Sequence, residues 1–313
     1  MKRVLIINEV DPITFEELDR ANIQYDYNPK ITETEFLNSI KEYNGLMLTS
    51  KFRITKDVID KAEKLEVIGR IGAGLENIDT AYAESKGIIC HNAPEGNRDA
   101  VGEQAVGMLL MLMNNLRRAD NEVRQGIWKR EANRGFEIKG KTLGIIGYGN
   151  MGNAFAQRLH GFEAKVIAYD KYKLNYGNVF AQEVTLETIF NEADILSLHT
   201  PLTDETKYMV NEEFLSKFKN PIILINTSRG KVVKTDALAY AMKAGKVTGA
   251  CLDVLEYEAY NYTTNFGAGM PESLNYLIHS DRVVLSPHIA GWTFESKRKL
   301  SYYTVKKIIH SLI

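Results

Sequence analysis

Arg229, Glu258 and His288 are the side chains of this sequence best suited to hold a carboxylate and move a proton. Arg229 stands in INTSRG, Glu258 closes LDVLEYE and His288 stands in SPHIAGWT. An arginine can grip a carboxylate through two parallel N–H bonds. A histidine gives or takes a proton near neutral pH, and a neighbouring carboxylate favours its protonated ring. Pro287 and Gly291 set His288 on a tight turn. Taken singly, each has a plain structural reading, Arg229 as a salt-bridge partner and His288 as a structural histidine. Taken together, they follow three strand-like apolar runs, 222–226, 249–252 and 283–285. Ligands of open α/β sheets bind at the carboxyl ends of strands, so the joint position carries more weight than any one residue. Glu256, two residues before Glu258, is the alternative partner for His288.

A second constellation lies in the stretch 141–170, KTLGIIGYGNMGNAFAQRLHGFEAKVIAYD. An apolar run over 143–146 leads into Gly147, Gly149 and Gly152, spaced G-x-G-x-x-G, with Tyr148, Asn150 and Met151 between them. A helical pattern follows, then an apolar run over 165–169 that ends on Asp170, an acid about 20 residues past the glycines. Gly147 allows the tight turn, Gly149 leaves room for a pyrophosphate, and Gly152 lets the helix pack close to the strand. The helix start offers unpaired N–H groups and the positive end of its dipole to the phosphates. Asp170 can accept from a ribose diol and would repel a 2′-phosphate, so the expected cofactor is NAD rather than NADP.

Those sites need a scaffold, and the rest of the chain reads as one. The second half carries six strand candidates, 143–146, 166–169, 195–199, 222–226, 249–252 and 283–285. The first half carries five, 3–7, 23–27, 45–49, 67–71 and 87–91, with amphipathic stretches between them. Strand–helix alternation implies parallel sheets covered on both faces. Pro94 and Gly96 mark a break, after which one long helix is expected over 99–125. That helix is apolar on more than one face, which predicts burial on more than one side and a homodimer through 99–135. Residues 259–276 break the alternation and read as a loop, and a last amphipathic helix is expected over 294–312.

Composition narrows the classes. Over 313 residues, 39 Lys and Arg balance 40 Asp and Glu, so no basic field for nucleic acid is present. No apolar run is long enough to span a membrane, and the apolar start of MKRVLIINEV is too short for a signal peptide. The two cysteines, Cys90 and Cys251, end strand-like runs and read as buried free thiols, which fits a cytoplasmic protein. Neither lies in a metal-ligand cluster, and no metal is expected.

The order GYGNMG, Asp170, SLHTPLT, INTSRG, LDVLEYE and SPHIAGWT resembles the D-isomer-specific 2-hydroxyacid dehydrogenase family, whose members include phosphoglycerate dehydrogenase and hydroxypyruvate/glyoxylate reductase. GRIGAGLENID (69–79) and NAPEGNRDAVGEQAVGMLL (92–110) extend the resemblance over nearly the whole chain. It implies an α/β fold of two doubly wound parallel-sheet domains. A Rossmann NAD-binding domain, 99–287, would be inserted into a flavodoxin-like substrate domain, 1–98 with 288–313. It implies hydride transfer between NAD and C2 of a small D-2-hydroxy or 2-keto acid. Arg229 would bind the substrate carboxylate, His288 would be the acid/base and Glu258 would hold the imidazole. His199, Thr200, Pro201, Thr206, Thr227, Ser228, Asp253 and Ala290 would join the glycine turn in binding NAD, with Asp253 near the nicotinamide end. Backbone N–H groups of Ala73, Gly74 and Leu75 would take the other carboxylate oxygens, and Lys51, Arg53 or Arg70 would take a substrate phosphate. The sequence departs from the family in having Ala259 where a proline often follows the glutamate, and Thr49 where phosphoglycerate dehydrogenases often carry arginine. Phosphoglycerate dehydrogenase is one alternative as the specific activity. A non-enzymatic NAD(H)-binding corepressor is another, because some relatives serve in that way.

Overall fold

A computed structural model describes residues 2–259 and 269–313. They form two compact units, Met1–Arg98 with Trp292–Ile313, and Asp99–Gly291. Both are built on all-parallel sheets flanked by helices.

In the first unit, strands β1 (Arg3–Ile6), β2 (Gln24–Tyr27), β3 (Gly45–Leu48), β4 (Val67–Arg70) and β5 (Ile89–His91) alternate with helices α1 (Ile13–Arg20), α2 (Glu33–Ser39), α3 (Lys56–Lys61) and α4 (Thr80–Ser85). The order β2-β1-β3-β4-β5 is the flavodoxin-like doubly wound order. Strands β3 and β4 are buried along their whole length, as parallel strands covered on both faces must be. On β1, Val4 and Ile6 enter one core and Leu5, with Ile7 just beyond the strand, enters the other.

The second unit opens with helices α5 (Arg98–Met113) and α6 (Leu116–Arg124). The single helix expected over 99–125 is therefore two. Asn115 adopts a left-handed conformation at φ 53°, which breaks the helical path between the two. Then come β6 (Thr142–Ile146), α7 (Asn150–Leu159), β7 (Lys165–Tyr169), β8 (Gln182–Glu183), α8 (Leu186–Glu192), β9 (Ile195–Leu198), α9 (Glu212–Ser216), β10 (Ile222–Asn226), α10 (Thr235–Lys243), β11 (Val247–Leu252), α11 (Glu272–His279) and β12 (Val283–Leu285). The sheet order is β12-β11-β10-β9-β6-β7-β8, seven strands rather than the six expected. The additional strand, β8, is a polar two-residue edge with no apolar run to announce it. The loop expected over 259–276 gives way to α11 at Glu272, and 260–268 lie outside the described residues.

The chain ends in α12 (Phe294–Leu312), which packs on the first sheet. Gly69 of β4 makes that contact possible, since a Cβ there would sit 2.5 Å from Ile308 and 2.7 Å from Thr304. Cys251 is buried and Cys90 only half-buried, and both are free thiols. No described helix is long and apolar enough to cross a membrane.

Candidate active site

Strand order reverses between β6 and β9, so the crevice at their carboxyl ends is where a doubly wound sheet binds its ligand. After β6 the chain turns through Gly147 at φ +90°, a conformation and a space only glycine accepts, because a Cβ would lie 2.7 Å from the His199 carbonyl. A Cβ on Gly152 would lie 2.2 Å from the Gly147 carbonyl. At Gly149, the N-cap of α7, a Cβ would meet nothing within 4 Å, and no side chain caps this helix. The first N–H groups of α7, those of Asn150 and Met151 among them, lie at the positive end of the helix with no side-chain cap. Tyr148 contributes main chain only: its side chain is buried against the Tyr176 ring, with its hydroxyl 3.0 Å from Asn178 Oδ1.

Asp170 follows β7 with its carboxylate held from two sides. Oδ2 accepts from the Tyr148 N–H at 2.9 Å and Oδ1 from the Tyr172 N–H at 3.0 Å. A carboxylate has about four acceptor sites, so the fixed group retains capacity for a ribose diol.

Ser197 Oγ of β9 lies 2.8 Å from Nε2 of His199, just past the strand, while His199 Nδ1 is buried without a partner among the described residues. Burial pushes this imidazole down to about 3, so it is neutral at working pH. The hydroxyls of Thr200 and of Thr227, which follows β10, are also buried and without a partner among the described residues. Buried polar atoms are rarely left unpaired. Three of them on adjacent strand ends, beside an uncapped helix and an open glycine cradle, fit a bound dinucleotide. Thr206 is different: its hydroxyl donates to the Pro201 carbonyl at 2.6 Å and accepts from the Thr203 N–H at 2.8 Å, so it shapes the 200–206 turn.

Arg229, Glu258 and His288 follow β10, β11 and β12, three neighbouring strands of the same sheet. Asn226, 1% exposed at the end of β10, accepts from the N–H (3.0 Å) and hydroxyl (2.8 Å) of Ser228 and donates to the Arg229 carbonyl (3.0 Å). Gly230 lets this turn close on the next loop, since a Cβ there would lie 1.9 Å from the Leu255 carbonyl. Arg229 emerges half-buried, with one guanidinium N–H 2.7 Å from the Ser228 carbonyl.

Glu258 Oε2 lies 3.1 Å from His288 Nδ1, both side chains less than a quarter exposed. Glu256 is occupied elsewhere, accepting the Thr235 N–H at 2.8 Å at the start of α10. His288 adopts φ +57°, an uncommon conformation for a residue with a side chain. Asp253, 1% exposed, holds it there. Its Oδ1 accepts from the Ser286 hydroxyl (2.6 Å) and the Ile289 N–H (2.9 Å), its Oδ2 from the Ala290 N–H (2.9 Å), and its carbonyl from the His288 N–H (2.7 Å). Both carboxylate oxygens of Asp253, the residue expected near the nicotinamide end, thus build the histidine turn. Asn226, Ser197 and Ser286 are site-building residues that the motifs alone do not single out. A polar residue closing an apolar strand, just before a turn, is the signal that could find them.

In the first unit, Lys51 Nζ donates to the Pro29 carbonyl at 2.6 Å, and burial lowers its pKa. Arg70 is buried, and a Cβ on Gly72 would fall 2.1 Å from its guanidinium. Ala73, Gly74 and Leu75 follow β4 half-buried, with the Ala73 carbonyl accepting from Asn92 at 2.6 Å.

A doubly wound sheet with a glycine cradle, an acid two strand ends away from a threonine hydroxyl with no partner among the described residues, and a His–Glu pair on its far side defines a dinucleotide-dependent oxidoreductase. Comparison with known proteins narrows the class. Residues 106–290 match the family described as D-isomer specific 2-hydroxyacid dehydrogenase, NAD binding domain. A hydroxypyruvate reductase of Thermotoga maritima is 36% identical over 90% of this chain and 89% of its own length. A D-3-phosphoglycerate dehydrogenase of Archaeoglobus fulgidus is 30% identical over 98% of this chain, which spans only 57% of that relative. The structure of Aquifex aeolicus D-lactate dehydrogenase with NAD and lactic acid superposes with a TM-score of 0.80 at 28% identity, covering 98% of this chain and 94% of that one. The chain belongs to the D-isomer-specific 2-hydroxyacid dehydrogenase family, and NAD is its cofactor.

Proposed function

We propose that this chain interconverts a small, unphosphorylated 2-keto acid and its D-2-hydroxy acid, with Arg229, Glu258 and His288 as its working side chains. The observation that carries the reading is the His288 Nδ1–Glu258 Oε2 contact of 3.1 Å on the sheet edge that also bears Arg229 and the glycine turn. Bound NADH supplies the hydride. Arg229 takes the substrate carboxylate and draws electron density from the C2 carbonyl. His288, with Nδ1 facing Glu258, gives a proton to the C2 oxygen from Nε2 and takes it back in the reverse direction. Glu258 stabilises the imidazolium and fixes the ring. Asp253 and Asn226 act through these residues, as positioning groups.

Thr49 supplies no charge, and the hydroxypyruvate reductase of Thermotoga maritima is matched along 89% of its own length, against 57% for the phosphoglycerate dehydrogenase. Glyoxylate and hydroxypyruvate are therefore the first substrates to test. The exposed apolar side chains of Met111, Leu116, Val123 and Trp128 support a homodimer through 99–135, which sedimentation velocity would detect. The free thiols of Cys90 and Cys251 suit a reducing cytoplasm. The deciding experiment is NADH oxidation with glyoxylate, hydroxypyruvate, its phosphorylated form and pyruvate, for wild type and His288→Gln. We expect turnover of the unphosphorylated acids, and a kcat lower by roughly 10²–10⁴ in the variant with NADH affinity retained. Tight NADH binding with no oxidation by any keto acid would point instead to a non-enzymatic role.

A further inference from the structure

Two loops rise beside the glycine turn. One follows β7 and carries Asp170; the other follows β9 and carries Thr200 and Pro201. Since β7 and β9 lie on opposite sides of β6, the loops are about 10 Å apart at their bases. A side chain of the second loop joins them. Glu205, on the β9 loop, forms an ion pair with Lys171 through Oε1 and accepts the Tyr172 hydroxyl through Oε2. Lys171 immediately follows the acid that serves the ribose. Lys173, two residues on, donates its Nζ to the Tyr148 carbonyl at 2.9 Å, at the glycine turn itself.

The charges around the ribose position therefore cancel: Asp170 and Glu205 against Lys171 and Lys173. Asp170 is the usual source of discrimination against a 2′-phosphate. Here its carboxylate already accepts two main-chain N–H bonds, which temper its repulsion. Cations beside the ribose are what a 2′-phosphate site requires. Lys171 and Lys173 supply them, the second tied to a carbonyl and the first neutralised by Glu205.

We propose that Glu205 is a specificity-determining residue: by engaging Lys171 it masks a latent 2′-phosphate site next to Asp170 and keeps the enzyme selective for NAD. The proposal rests on the reading of Gly147–Gly152 and Asp170 as the dinucleotide site. Lys171 and Glu205 are 55% and 45% exposed, so the effect is screened by salt.

The test is equilibrium binding without turnover. Dissociation constants for NADH, NADPH and 2′,5′-ADP would be measured by calorimetry on wild type, Glu205→Gln and Glu205→Gln/Lys171→Met. Glutamine keeps an acceptor for the Tyr172 hydroxyl and removes only the charge. Glu205→Gln should bind NADPH and 2′,5′-ADP roughly tenfold more tightly at low salt, the strength of one charge-assisted contact. NADH affinity should stay within about twofold, the gain should shrink as salt is raised, and it should vanish in the double variant. An unchanged NADPH constant, or a gain that survives Lys171→Met, would overturn the role of Glu205. Failure of the wild type to bind NADH would instead overturn the dinucleotide site itself.

Discussion

Asp253→Asn is the substitution that most directly tests how the histidine turn is built. It preserves shape and one acceptor oxygen, so Oδ1 can still serve the Ser286 hydroxyl and the Ile289 N–H. The new amide NH₂ then faces the Ala290 N–H, donor against donor, in a position that is 1% exposed. An orphaned buried N–H costs about 1–3 kcal/mol, and converting two charge-assisted bonds to neutral ones costs about 1 kcal/mol each. The total is about 3–5 kcal/mol, a large share of the 5–15 kcal/mol typical of a folded domain. Because His288 is held at φ +57°, a conformation that stores about 1–3 kcal/mol of strain, part of the loss should appear as relaxation of that turn. Thermal unfolding should show Tm lower by about 10 °C. Steady-state kinetics should show kcat lower by at least roughly tenfold, while the NADH dissociation constant moves little. Gly147–Gly152 and Asp170 are untouched by the change. A variant with Tm within about 2 °C of wild type and unaltered kcat would refute the argument that the carboxylate holds the turn.

Other residues give sharper single readouts. Arg229→Ala should raise the keto-acid KM and lower kcat/KM by roughly 10²-fold or more, with NADH binding intact; an unchanged KM would remove Arg229 from the carboxylate site. Asp170→Ala should weaken NADH by roughly tenfold and relax the bias against NADPH, as read by fluorescence titration of both nucleotides. His199 makes a pH prediction. Its folded pKa is pushed below its ordinary value to about 3, so on acidification the unfolded chain takes up a proton that the folded protein refuses. The stability this group contributes is complete above about pH 6.5 and is lost as pH falls from there towards 3, by at most about 1.4 kcal/mol per pH unit. Urea unfolding at about pH 7.5 and 5.5 should therefore show wild type losing about 1 kcal/mol more than His199→Gln, and parallel losses would contradict it.

Features set by local sequence are legible in residue type and spacing. The glycine spacing, the acid after β7 and the apolar parallel strands all depend on short separations, and the family resemblance follows from the same motifs. The features that escape such a reading depend on something else. Strand β8 is an edge that gains its place by pairing Gln182 with Ile167 and Glu183 with Ala168, and it needs no apolar run of its own. The break at Asn115 carries a turn signal in the Asn114-Asn115 pair, but apolar residues continue on both sides and favour one long helix. Glu256 and Glu258 stand two residues apart in a loop, where no periodicity decides which one turns towards His288 and which caps α10. The role of Asp253 is hidden from the sequence for a related reason. Its partners, Ser286, Ile289 and Ala290, are more than thirty positions away, and such bonds exist only once β11 and β12 are paired.

That pairing also explains why polar residues are buried at these strand ends at all. The register sets Leu252 beside Leu285, so the residues that follow, Asp253 and Ser286, leave the sheet as neighbours. An apolar pair there would close the strand ends and leave the 287–290 turn without acceptors for its N–H groups. A buried aspartate instead draws those N–H groups inward, which forces the chain to double back and turns the His288 ring towards Glu258. Asn226 does the same for Arg229 one strand over. Arg229 and His288 are thus each set by a buried polar group at a strand terminus, while the side chain itself stays on a turn. Strand-end polar burial is a cost to stability that this sheet bears at the positions that hold the His288 and Arg229 turns in place.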